Sequence, residues 1–186
     1  MARKFSKRLV IDASVIFSTG RENPDFPSPK LKRCRDFLLE VFDICHRVVL
    51  TPEIKAEWQR HQTVFARDWL SRMEQKGKVE RLTETSKPLL RAELDDLEAT
   101  DQQRQAMLKD ALLIEAALAS DSLIASLDQT ARKLFAEAAG SIRELKKVVW
   151  VNPEIEEEDC LDWLSRGARS EKKRQLEALA KELKQK

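Results

Sequence analysis

Four short apolar runs punctuate this chain: Arg8-Leu-Val-Ile-Asp12, Arg47-Val-Val-Leu-Thr51, Leu123-Ile-Ala-Ser-Leu127 and Lys147-Val-Val-Trp-Val151. Each is close to continuously apolar rather than alternating, the pattern of a strand buried on both faces. Longer stretches with apolar residues at helical spacing lie between them, such as positions 34, 37, 38, 41, 42 and 45. Short buried strands separated by helices predict an α/β fold with a mostly parallel central sheet. In such sheets ligand sites form at the carboxyl ends of the strands.

The intervening punctuation agrees. A Pro-rich loop is expected from Gly20 to Pro29. Thr51-Pro52 reads as N-cap and first turn of a helix that continues with a partner to about Gln75, where Gly77 breaks it. Residues 86–118 read as two helices with a polar joint near 100–103, and Thr130 to Ala139 as a helix stopped by Gly140. A final helix is expected from Ser170 to Lys184, with a thin stripe of Leu176, Leu179, Ala180 and Leu183.

At 186 residues and 42% hydrophobic content, one folded domain is expected, residues 1–165, followed by a basic helical tail, 166–186. No apolar run exceeds four residues, so no membrane span is expected. Met1-Ala-Arg-Lys is followed by Phe5-Ser-Lys-Arg rather than an apolar stretch, so no secretory leader is expected. Three widely spaced cysteines exclude a zinc-finger pattern and fit reduced thiols in a cytoplasmic protein. With only His46 and His61 available, hydrolytic chemistry has to lean on carboxylates, and four glycines make no phosphate-cradling loop. The formal charge of +2 divides into +6 over residues 1–35, −9 over 36–165 and +5 over 166–186. Basic ends around an acidic centre suit a polyanion worked on by a metal, and suit solvated faces equally well.

Four acids stand out. Asp12 and Asp128 follow strands at the carboxyl edge, although each is also placed to cap a helix. Asp110 shares a helix face with Leu113, Ile114 and Ala117, a core address where a carboxylate needs a partner or a cation; a solvent-facing first turn is the alternative. Glu57 shares a face with Ile54 and Val64 and is preferred over Glu53, which sits in a first turn where acids are favoured without function. Glu115 falls off the Asp110 stripe and reads as surface. Four close carboxylates repel unless compensated, and Mg²⁺ or Mn²⁺, which take oxygen ligands, would compensate them. Such a site suits attack of a metal-activated water on a phosphodiester.

Val10-Ile-Asp12-Ala-Ser14-Val, Thr51-Pro-Glu-Ile-Lys-Ala-Glu57, Asp110-Ala-Leu-Leu-Ile-Glu-Ala-Ala117 and Ile124-Ala-Ser126-Leu-Asp128 together resemble the PIN-domain ribonucleases, which include VapC-like toxins. The resemblance covers about residues 7–152. It implies a three-layer α/β/α fold, here with an expanded helical middle (about 66–105) and a C-terminal helix. It implies metal-dependent endoribonuclease activity, with Asp12, Glu57, Asp110 and Asp128 holding Mg²⁺ or Mn²⁺ and Ser14, Ser126 and Asp121 in support. By the same resemblance the partners are RNA, an antitoxin protein if the chain is an operon-encoded toxin, and a second copy in a homodimer. The alternative is a PIN-like module that binds RNA or protein with little or no catalysis. Arg169, Lys172, Lys173 and Arg174 could grip RNA phosphates, or the tail helix could pack its leucines on a neighbouring subunit or domain. Trp58, Trp69, Trp150 and Trp163 are assigned to the core rather than to base stacking, and His61 to a helix surface.

Overall fold

The structure is a computed structural model that describes residues 6–20 and 28–185. Most of the expected Pro-rich loop, residues 21–27, and the basic start, residues 1–5, lie outside the described residues, as does the side chain of His61.

Five parallel strands form one sheet: β1 (Arg8–Ile11), β2 (Arg47–Leu50), β3 (Val79–Arg81), β4 (Leu123–Ala125) and β5 (Val149–Val151), in the order β3-β2-β1-β4-β5. Four coincide with the apolar runs. β3 does not, because Val79-Glu80-Arg81 holds a single apolar residue; it pairs only with β2, and as an outer strand it needs no continuous burial. Around the sheet run α1 (Ala13–Phe17), α2 (Pro29–Asp43), α3 (Pro52–His61), α4 (Val64–Gln75), α5 (Pro88–Asp95), α6 (Asp101–Leu118), α7 (Gln129–Ala138), α8 (Cys160–Ser165) and α9 (Leu176–Leu183). The polar joint before α6 is a capping box, with Thr100 accepting from the Gln103 N–H and Gln103 reaching back.

The strand order decides where a cleft opens. The chain steps outward from β1 through β2 to β3, then crosses to β4 and β5 on the other side of β1. Right-handed crossovers in opposite directions place the two sets of helices on opposite faces. β1 and β4 are neighbours, register Val10 to Ile124, and the chain leaves their carboxyl ends toward different faces. That is the switch point at which parallel sheets open a crevice.

Packing follows the apolar runs. Leu9, Val10, Ile11, Val48, Val49, Ile124, Val149 and Val151 are completely buried, and all four tryptophans are in the core. Trp58 donates its indole N–H to Ile11 O at 3.0 Å and Trp69 to Leu38 O at 2.6 Å, tying α3 to β1 and α4 to α2. Trp150 buries its indole N–H without a partner among the described residues.

The C-terminal segment is not the single helix expected over 170–184. Residues 172–174 form one 3₁₀ turn, Gln175 bridges Val149, and the Leu176 N–H donates to Val148 O at 2.9 Å. Leu176 enters the same core as the sheet, and α9 packs on α7. Among the described residues no helix is long and apolar enough to cross a membrane.

His46, fully buried, ties three segments together. Its Nδ1 accepts from the Lys7 N–H at 3.1 Å, so its Nε2–H donates to Leu164 O at 3.0 Å. Burial, with Lys78 and Lys7 adding to it against the Leu164 bond, holds the imidazole below its ordinary value of 6.5. The unfolded chain therefore binds the proton first, and the stability His46 contributes is lost as pH falls from 6.5 through the lower folded value. Between pH 7.5 and 5.5 the charging of His46 is expected to pull the thermal midpoint down. His46→Gln should lower it by the equivalent of about 1–3 kcal/mol at pH 7.5 and flatten that drop, because a buried bond is lost and no imidazole remains to charge. Parallel pH slopes for the two proteins would show that His46 does not titrate this way.

Candidate active site

Asp12 is the first residue beyond β1 and holds the N-cap position of α1, yet its side chain makes no cap bond. Instead Oδ2 accepts from two hydroxyls, Ser14 Oγ at 2.5 Å and Ser126 Oγ at 2.8 Å. Those hydroxyls are held in turn, Ser14 Oγ by the Leu127 N–H at 3.0 Å and Ser126 Oγ by the Asp128 N–H at 3.1 Å. The loop after β4 is thus laced to the turn after β1, with Ser126 completely buried between them. Oδ1 of Asp12 accepts no hydrogen bond among the described residues.

Asp128 fits the capping reading that the sequence left open. Its Oδ1 caps α7 by accepting from the Ala131 N–H at 2.8 Å. Its charge also reaches Asp110, as do those of Asp12 and Glu57. Burial pushes the Asp110 carboxyl up to about 6; Lys109 opposes that, and Asp12, Asp128 and Glu57 add to it. Asp110 thus stands near enough to the other three acids picked from the sequence to feel their charges, with Asp12 and Asp128 lying beyond the carboxyl ends of β1 and β4. Glu57, rather than Glu53, is the α3 acid that Asp110 feels. Glu53 stays in the first turn of α3, where its own backbone N–H, then Thr51, then Arg91 hold its carboxyl below the usual range against its slight burial.

The donor set is all oxygen, which fits Mg²⁺ or Mn²⁺. Among the described residues no group of three or more His, Cys, Asp or Glu side chains is arranged as it stands to hold one metal ion. Mg²⁺ does not require such a cage, since it keeps several waters and binds through one or two carboxylates. A dication here would also offset the repulsion that Asp12, Asp128 and Glu57 add to the effect of burial on Asp110.

Other expected members sit elsewhere. Asp121 precedes β4 at the amino edge of the sheet, about 13 Å of strand away from Asp12 at some 3.3 Å per residue. It accepts from the Arg8 backbone N–H at 2.8 Å and pairs with the Arg8 guanidinium at 3.2 Å, which outweighs burial and holds it low. Its role is to fasten β1 to β4, not to support the carboxylates. Arg174 is buried, bonded to Glu171 at 3.0 Å and to Glu158 O, and lies against the Trp163 ring, so it is not open to a phosphate. Arg169, Lys172 and Lys173 are exposed, but their segment runs beside β5, two strands from β1.

Glu115 is the residue the sequence reading misplaced. It is 2% exposed, accepts from the Lys87 N–H at 2.8 Å, and takes a two-pronged pair from Arg91, Nε to Oε1 at 2.8 Å and Nη2 to Oε2 at 2.6 Å. An acid inside the run Leu112-Leu-Ile-Glu115-Ala-Ala-Leu118 was the available signal, because a lone carboxylate there has to be paired.

Because the folded state holds the Asp110 proton more tightly than the unfolded chain does, stability falls as pH rises from 3.8 to about 6. In EDTA at pH 8, Asp110→Asn should therefore melt higher than wild type, by about 1–2 kcal/mol once solvent screening is allowed for. The two should converge near pH 4. An Asn variant less stable at both pH values would contradict this electrostatic picture.

Comparison with protein-family models, with curated proteins and with solved structures finds no match to this chain.

Proposed function

We propose that this chain is a PIN-like endoribonuclease of the three-layer α/β/α type, hydrolysing RNA phosphodiester bonds with Mg²⁺ or Mn²⁺. The observation that supports the reading is that Asp110, whose carboxyl burial pushes up to about 6, also feels the charges of Asp12, Asp128 and Glu57. The metal would be held by Asp12 through Oδ1, Asp110, Asp128 and Glu57. When bound, it would supply an activated water and charge stabilisation at the phosphate.

The protein's own groups do the rest. Ser14 and Ser126 fix the Asp12 carboxylate in one orientation, so no reorganisation is needed when substrate arrives. Leu127 and Asp128 donate backbone N–H groups to those hydroxyls and so set the spacing of the two strand-end acids. Asp110, pushed up to about 6, is mostly ionised at neutral pH, and its charge would then be available to a cation. One observation favours the second reading, a PIN-like binding module without catalysis: no three of the described acids are arranged as they stand to chelate a metal.

Incubation of mixed-sequence single-stranded RNA with purified protein separates the readings. Wild type should cleave in Mn²⁺ and not in EDTA. Asp12→Asn and Asp110→Asn should each lower the rate by more than about 100-fold, and Ser126→Ala by about 10–100-fold through the loosened Asp12. Undiminished cleavage by the Asn variants would remove these acids from the site, and RNA binding without cleavage by wild type would favour the binding module.

A further inference from the structure

A polar cleft of about 530 Å³ opens beside the carboxylate site, lined by Glu53, Thr83, Glu84, Thr85, Ser86 and Arg91. Its volume falls within the roughly 300–1,000 Å³ of small-ligand sites. Two helices join it to the four acids. On α3, Glu53 lies four residues before Glu57, one turn along the same face and about 6 Å away between Cβ atoms. On α6, Leu112 and Glu115 reach the cleft from the helix that carries Asp110.

The cleft is a built surface. Glu115, buried behind it, grips Arg91 by two hydrogen bonds and is itself held by the Lys87 N–H, so the guanidinium is fixed in orientation. The Arg91 side chain is still 39% exposed. A guanidinium plane held in this way is a platform on which an unstacked base can lie. Around it stand two carboxylates, which only accept hydrogen bonds, and three hydroxyls, which can donate. Glu53 stays ionised, held low by its own N–H and Thr51, so it is an acceptor at neutral pH.

That chemistry excludes a phosphate, which Glu53 and Glu84 would repel. It favours a group with adjacent donors on one edge and acceptors on the other. Guanine is the base of that description: N1–H and the N2 amine stand side by side, and O6 and N7 accept on the opposite side.

We infer that this cleft is a guanine-reading subsite for single-stranded RNA, with Arg91 stacking the base and Glu53 or Glu84 accepting from N1–H and the N2 amine. The inference rests on the nuclease reading for its place beside a scissile phosphate, but base recognition can be measured without cleavage. In the Asp12→Asn full-length chain, fluorescence anisotropy is read with labelled oligouridylate carrying one guanosine, inosine or adenosine. The guanosine oligomer should bind about tenfold tighter than the inosine one, which lacks only the N2 amine. Glu53→Gln or Glu84→Gln, both at exposed positions where folding is not at stake, should bring that ratio to near one. Equal affinity for the three oligomers, no binding of any, or a guanosine preference unchanged in both Gln variants would overturn the inference. Guanosine-selective binding by a wild type that does not cut in Mn²⁺ would support the cleft and count against the nuclease. Cleavage by wild type with no preferred base near the cut would do the reverse.

Discussion

Like charges held close together at the mouth of a buried sheet govern this molecule. Asp12 and Asp128 leave adjacent strands, Asp110 comes in from α6, Glu57 from α3, and no cation among the described side chains neutralises the group beyond the opposing pull of Lys109. The protein answers the repulsion in several ways. Asp12 is immobilised by two serine hydroxyls on one oxygen. Asp128 spends an oxygen on the α7 cap. Asp110, chiefly through burial, keeps its proton to about pH 6. The cap and the serine bonds stabilise the fold, whereas the half-buried Asp110 costs stability once it ionises.

The sheet order makes the crowding unavoidable. A chain that steps from β1 to β3 and then crosses to β4 puts two strand ends side by side and sends the helices to opposite faces. Asp12 and Asp128 are neighbours because β1 and β4 are in register. On α3 and α6, Glu57 and Asp110 stand within electrostatic reach of each other, and one turn toward the start of α3 Glu53 meets the cleft shaped by the Arg91–Glu115 pair. Removing one partner of a pair as buried as Glu115 would leave an uncompensated charge, so this pair holds α5 against α6 as well as shaping the cleft.

Much of the fold was legible because fully buried strands advertise themselves. β1, β2, β4 and β5 read as apolar runs, while β3 carries Glu80 and Arg81 at the sheet's outer edge and offers no such run. The strand-end acids Asp12 and Asp128 were legible from position alone. Asp110 was legible because a carboxylate on an apolar stripe contradicts burial unless something compensates it. Long-range pairings were not legible. Asp121 binds Arg8 across 113 residues, and Arg174 folds back on Glu158, so a residue expected to support the carboxylates and one expected to reach RNA phosphates are fasteners instead. Glu115 failed for the same reason, since its partner Arg91 lies on another helix.

The account stands on one claim, that the four carboxylates at the β1/β4 crevice form a divalent-cation site. Isothermal titration of Mn²⁺ into the purified protein at pH 7.5 tests it without reference to any substrate. The account expects saturable binding of at least one ion per chain, weaker at pH 5.5 where Asp110 holds its proton, and its loss in Asp12→Asn. No binding by wild type, or equal binding by the Asn variant, would contradict it.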